Sequence, residues 1–242
     1  MARSHYLPNL VATGLVLVLG TPATALPTSV TQPEVGQGTS PYCVPEEWQG
    51  GRATTLGVVN TSFISTVTQN FGSLIYSAKL QKILIDDNLY SGQYRRRIYD
   101  YPANILYTIT GSLTQKCKKT TLPGPFAPQC VPADATVLQT DTSFGVETNS
   151  VTAIELSGIQ NDVKYRVTLT RETNVPIFEE LWGGKNGDNF YQALSFYNFT
   201  MSTGLPASVF KPPSACDHVP ITQLVGRSID DVIHPLVIYP WV

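Results

Sequence analysis

The chain is expected to be a mostly β protein, a twisted, multi-stranded and largely antiparallel structure with one buried and one polar face. Three observations carry that expectation. Apolar and polar residues alternate at period two in many segments, clusters of turn-forming residues separate those segments, and no segment sustains the 3.6-residue stripe of an amphipathic helix. Composition agrees: 42% of residues are apolar and only 14% are charged, so the chain can bury a core rather than stay disordered.

Residues 1–25 stand outside that fold. Arg3 and His5 open a polar stretch, 10–19 (LVATGLVLVL) form a short apolar run, and Ala23-Thr24-Ala25 supplies a small-x-small cleavage pattern. The pattern predicts a signal peptide, and the run is shorter than the roughly 20 residues that cross a bilayer. No later stretch is long enough for a transmembrane segment. The chain is therefore read as secreted and extracellular, with the lysosomal lumen as the lesser alternative. Residues 26–42, rich in Pro, Thr, Ser and Gly, read as a flexible leader, and 43–242 as a single β domain.

Within that domain the strand candidates are 80–86, 94–101, 105–113, 151–156, 163–169 and 190–201. In the third, Ile105, Tyr107 and Ile109 share one face and Thr108 and Thr110 the other. In the fifth, Val163, Tyr165, Val167 and Leu169 alternate with Lys164, Arg166, Thr168 and Thr170. Turn signals fall at Asp86-Asp87-Asn88, Ser91-Gly92, Asn161-Asp162 and residues 183–188. A short helix is expected at 226–233, with Ser228 as its N-cap. The 190–201 strand carries a conflict: strict alternation puts Asn198, a glycosylation candidate, on the face of Phe190, Leu194 and Phe196. A bulge, or a layer covering only part of the strand, resolves it.

Signatures of enzymes are missing: there is no Gly-x-Ser-x-Gly, His-Glu-x-x-His, Cys-x-x-Cys or phosphate-cradling glycine loop. The chain is read as non-enzymatic, with no catalytic residue and no metal ligand assigned. His218 and His234 read as exposed loop histidines. No cofactor is expected; calcium is the one candidate ion, at Asp86-Asp87-Asn88 or in the 184–189 loop, although turn chemistry explains both. The formal net charge is −2, and the basic runs Arg95-Arg96-Arg97 and Lys116-Cys117-Lys118-Lys119 read as solvated strand faces, so nucleic acid is no partner. Trp48, Trp182 and Trp241 read as core plugs. Asn60 and Asn198 head Asn-x-Ser/Thr sequons and are the expected glycan sites. The four cysteines, Cys43, Cys117, Cys130 and Cys216, form two disulfides, with three connectivities open.

Three stretches carry a resemblance. Ser208-Val-Phe-Lys-Pro-Pro-Ser-Ala-Cys216 resembles the C-terminal signature of the ependymin-related family; Cys43-x-Pro-x-x-Trp48-x-Gly-x-Arg52 is similar to its opening motif; and 105–113 running into Gln115-Lys116-Cys117 is similar to its central strand and cysteine. The resemblance spans 43–218 and is of the invertebrate type. It implies a curved two-layer antiparallel β fold around a hydrophobic pocket, similar to bacterial lipoprotein carriers and often dimeric. It implies secreted glycoproteins of extracellular fluid or matrix, binding lipids or calcium, some of them in calcified shell. It also implies a Cys117–Cys216 bridge, with the prolines holding the chain extended while Cys216 docks on the central strand. The family's partner for Cys43, near residues 182–188, is missing here. Cys43 then falls to Cys130, and the rival arrangement is Cys117–Cys130 with Cys43–Cys216. The expectation is a secreted glycoprotein that binds a lipid-like ligand; the alternative is a structural component of an extracellular matrix, shell matrix and its biomineralisation included.

Overall fold

The computed structural model describes residues 42–122, 124–145, 150–185 and 188–223, all within a unit spanning Val35–Val242. The expected signal peptide, nearly all of the leader, the 226–233 helix, His234 and Trp241 lie outside the described residues. The described chain is mostly β. Its strands are β1 (Glu47–Val59), β2 (Ser65–Ser77), β3 (Lys82–Leu89), β4 (Tyr94–Asp100), β5 (Ile105–Thr110), β6 (Lys116–Thr121), β7 (Thr136–Phe144), β8 (Val151–Gln160), β9 (Val163–Thr170), β10 (Pro176–Lys185), β11 (Asp188–Met201) and β12 (Ile221–Thr222). They form one curved sheet in the order β12-β6-β5-β4-β3-β2-β1-β11-β10-β9-β8-β7. Every pair is antiparallel except β12 with β6. The meander β1 to β6 runs outward from the middle; the meander β7 to β11 runs inward from the far edge and closes against β1.

Local chemistry explains the turns. Asn161 and Asp162, at φ of 50° and 65°, make a tight hairpin of two left-handed residues between β8 and β9. Gly92 at φ 77° does the same service after β3. Two expectations change here. The 105–113 stretch is not one strand, because Gly111 at φ 88° turns the chain after Thr110; Cys117 consequently sits on β6, opposite Ile109, not on β5. Asp86-Asp87-Asn88 is not a turn either but lies inside β3, for a reason given below.

The conflict on β11 is resolved by a bulge. The register to β1 slips between Gln49 and Gly51, which face Thr200 and Tyr197. Asn198 takes φ 50° and is exposed, while Phe199 turns back and stacks on Trp48 with ring centroids 4.7 Å apart. One extra residue re-aims the alternation.

One face of the sheet carries two apolar clusters. The first gathers Trp48, Leu74, Tyr76, Ile83, Ile85, Tyr99 and Leu194; the second gathers Leu56, Leu156, Tyr165, Val167, Leu181 and Phe190. Val163, Tyr165, Val167 and Leu169 all face the second, as their alternation predicts. The layer over this face is made of chain segments rather than a second sheet. Val44, Leu122 and Phe126 pack on the first cluster, and Tyr42, Val131 and Ala135 on the second. These segments hold each other through Val44 N–H to the Gln129 carbonyl and Val131 N–H to the Tyr42 carbonyl, each 2.9 Å. A Cys43–Cys130 disulfide, with Cα atoms 3.9 Å apart, joins them.

Among the described residues, the opposite face is covered around β3 to β6. There Phe210 and Cys216, both 1% exposed, sit among Leu84, Ile98 and Ile109, and Cys216 is bonded to Cys117. The covering segment is not extended throughout. Ala207–Phe210 and Ser214–Cys216 each form a 3-10 turn, with extended Lys211 and Pro213 between them. Prolines before each turn fix φ where a helix-like turn starts.

Candidate functional site

Between the two apolar clusters, on the same covered face, the sheet buries a polar band. Register explains its position. Across the strands one row reads Phe196 (β11), Arg52 (β1), Gly72 (β2), Asp87 (β3) and Arg95 (β4). The next row reads Leu194, Thr54, Asn70 and Leu89. Opposed residues in an antiparallel sheet share a face, so Arg52, Asp87 and Arg95 point to the same side. Gly72 lies between Arg52 and Asp87 and has no side chain, which lets the guanidinium cross β2 to the carboxylate.

Asp87 is fully buried and is the hub of the band. Its Oδ1 accepts from Arg52 at 2.5 Å; its Oδ2 accepts from Arg97 at 3.0 Å and Arg95 at 3.5 Å. Burial alone would raise its pKa, but Arg52, Arg97 and Arg95 together outweigh that and hold it below the ordinary carboxylate value. Burial pushes the Arg52 guanidinium below its usual value, and repulsion from Arg97 adds to this against the pull of Asp87.

Two spaces share residues of this band. An open hollow of about 530 Å³ is walled by Val67, Leu89 and Tyr90, with Asn70 and Arg95 among its polar lining. A small cavity of about 20 Å³ shares Asn70 and Arg95 and reaches Arg52, Thr54, Arg97 and Gln192.

The basic run Arg95-Arg96-Arg97 is therefore not simply a solvated face. Arg97 is buried on Asp87, while Arg96 turns to the other side and grips Asp86 through Nε at 2.7 Å and Nη2 at 2.9 Å. Tyr94 donates to Asp86 as well, at 2.6 Å. The carboxylates considered for calcium thus face guanidinium groups. Among the described residues no group of three or more His, Cys, Asp or Glu is placed to hold a metal, and residues 186–187 of the second candidate loop lie outside them. Lys116 and Lys118 are exposed, as is His218.

Trp48 is fully buried and packs against Tyr76, Phe196 and Phe199; Trp182 is half-buried on β10. Asn60 sits in the β1–β2 turn, where its Oδ1 accepts from the N–H groups of Ser62 and Ile64, both at 2.9 Å. In the sequence Arg52 stands out only as the end of a motif, and Asp87 only as a turn residue and calcium candidate. Neither showed its partner, because the strand between them had to be placed first. No helix among the described residues is long and apolar enough to cross a membrane.

These features define a disulfide-linked, single-sheet β protein with one covered face and a hollow leading to a buried charged band. The chain belongs to the ependymin family, whose model matches residues 91–216, just over half of the sequence. The match includes Cys117 and the Ser208–Cys216 stretch; the Cys43–Arg52 motif lies ahead of it. No curated protein sequence matches the chain. Solved structures similar to it include an uncharacterized conserved protein of Thermus thermophilus, at 9% identity and TM-score 0.42, covering 72% of this chain and 90% of that one. A LolA superfamily protein of Nitrosomonas europaea is 12% identical with TM-score 0.34, covering 71% and 93%. A putative outer membrane lipoprotein-sorting protein domain of Vibrio parahaemolyticus is 10% identical with TM-score 0.31, covering 68% and 88%.

Proposed function

We propose that the chain is a secreted, non-enzymatic glycoprotein that binds a lipid-like ligand in the extracellular space. The carrying observation is the open hollow where β2 and β3 end: about 530 Å³, with Val67, Leu89 and Tyr90 in its lining, within the roughly 300–1,000 Å³ of ligand pockets. Family membership is compatible with that reading. In it the signal peptide is removed, and Asn60 and Asn198 carry glycans. Native mass spectrometry of the secreted chain, before and after enzymatic deglycosylation, tests each part. A stoichiometric adduct with a twelve-carbon alcohol is the expected result; a chain indifferent to apolar probes of any length sinks the reading.

A second reading, a structural component of an extracellular matrix, is favoured by the uncovered face. Phe71, Tyr191 and Tyr197 are exposed there at 53%, 44% and 44%, and exposed apolar surface of this kind marks interaction sites. Recovery of the chain from a detergent-washed matrix, and its loss with Phe71→Ser, is the corresponding test.

A further inference from the structure

The hollow leads past its apolar wall to charge. Arg52, Arg95 and Arg97 converge on a single carboxylate, Asp87. Asp86 and Arg96 pair on the opposite face and do not alter this balance. Buried Glu179 lies on the covered face, but two strands from Thr54 with Leu194 between them. Even with Glu179 included, the band holds more cations than anions. Arg52 is only 3% exposed. Its Nε, the Nε of Arg95 and the Thr54 hydroxyl are buried with no hydrogen-bond partner among the described residues. All three residues line the small cavity. A buried guanidinium with spare donors is costly unless an anion meets it, and the fork of an arginine suits the oxygens of a carboxylate or phosphate. The small cavity has room for about one oxygen-sized group, and it shares Arg95 and Asn70 with the larger hollow.

We propose that this band is the site for the anionic end of the ligand: a carboxylate or phosphate-ester oxygen seated between Arg95 and Arg52, with its hydrocarbon tail along Leu89 and Tyr90. This rests on the lipid-like reading above and narrows it to acidic amphiphiles. The ligand's charge offsets the excess of guanidinium, so recognition falls on the headgroup while the hollow accepts a range of tails.

Calorimetric titration of the full secreted chain with dodecanoate, dodecyl phosphate, dodecanol and inorganic phosphate tests it. Both acids are expected to bind about tenfold tighter than the alcohol, the scale of one charge-assisted hydrogen bond. Arg95→Gln, the most exposed of the three arginines, removes that preference, weakening both acids by about tenfold more than it weakens dodecanol. Should that variant fail to fold, Ser91→Asp serves instead: it puts a negative charge on an exposed residue at the rim, and the acids weaken while the alcohol does not. Equal affinity for acid and alcohol overturns the anion site and leaves the lipid-like reading standing. A preference that survives both variants overturns it too. Binding of none of the twelve-carbon probes defeats the lipid-like reading and this one with it. Inorganic phosphate binding as tightly as dodecyl phosphate overturns the amphiphile in favour of a free oxyanion.

Discussion

Asp86 and Asp87 are adjacent on β3, yet the strand turns them to opposite faces. Asp86 meets one arginine, Arg96, and both side chains keep contact with water, at 21% and 36% exposure. Asp87 has no exposure and serves three arginines. The same side chain is a surface partner in one place and a buried hub in the next. What separates them is the register that brings Arg52 across Gly72 on one side, while on the other side Asp86 and Arg96 keep contact with water. Removing either carboxylate measures what that difference in setting is worth.

The largest effect is expected from Asp87→Ala. It strands Arg52 and Arg97 in the interior, and breaking a buried pair of this kind costs about 3–5 kcal/mol; chemical denaturation reads the loss as a lower midpoint. Gly72→Ala attacks the same pair through the backbone. A Cβ there would overlap the Asp86 carbonyl oxygen, so β2 and β3 must part, with a loss on the order of 1–3 kcal/mol, the scale of overpacking. A Gly72→Ala protein as stable as the parent would show that close approach of these strands is not needed.

The pH dependence sharpens the contrast. The folded pKa of Asp87 is depressed by its arginines, so its contribution is fully present above the unfolded value of about 3.9 and fades as pH falls through the folded value. Stability of the parent is therefore expected to drop on the acid side. Asp87→Asn, weaker from the start, should show a shallower drop over the same range. Parallel acid limbs for the two proteins would remove Asp87 from the account.

Much of the fold was legible because alternation is a local signal. Tyr165, Val167 and Leu169 could be assigned to a buried face from eight residues of sequence, and Asn161-Asp162 announced their hairpin. The β11 bulge was legible as a conflict between Asn198 and its apolar neighbours, though not as a geometry. The charged band was not legible. Asp-Asp-Asn looks like a turn until strands on both sides of it supply arginines, and Arg52 lies far away in sequence, on the central strand β1. A clue existed in Gly72, a lone glycine inside a strand and so a mark of close approach, but it names no partner. Pairing between distant strands decides this site, and local pattern does not encode it.

The smallest effect is expected from Asp86→Asn. Its pair with Arg96 has good two-pronged geometry, which favours a measurable contribution. Exposure works the other way: water screens the charges, and pairs of this kind give about 0–1 kcal/mol. Added salt should shrink the difference between Asp86→Asn and parent further, while leaving the Asp87→Ala loss nearly intact because that carboxylate has no access to ions. A loss for Asp86→Asn that matches Asp87→Ala and resists salt would mean that both faces of β3 are closed to solvent. The uncovered face would then have a partner of its own.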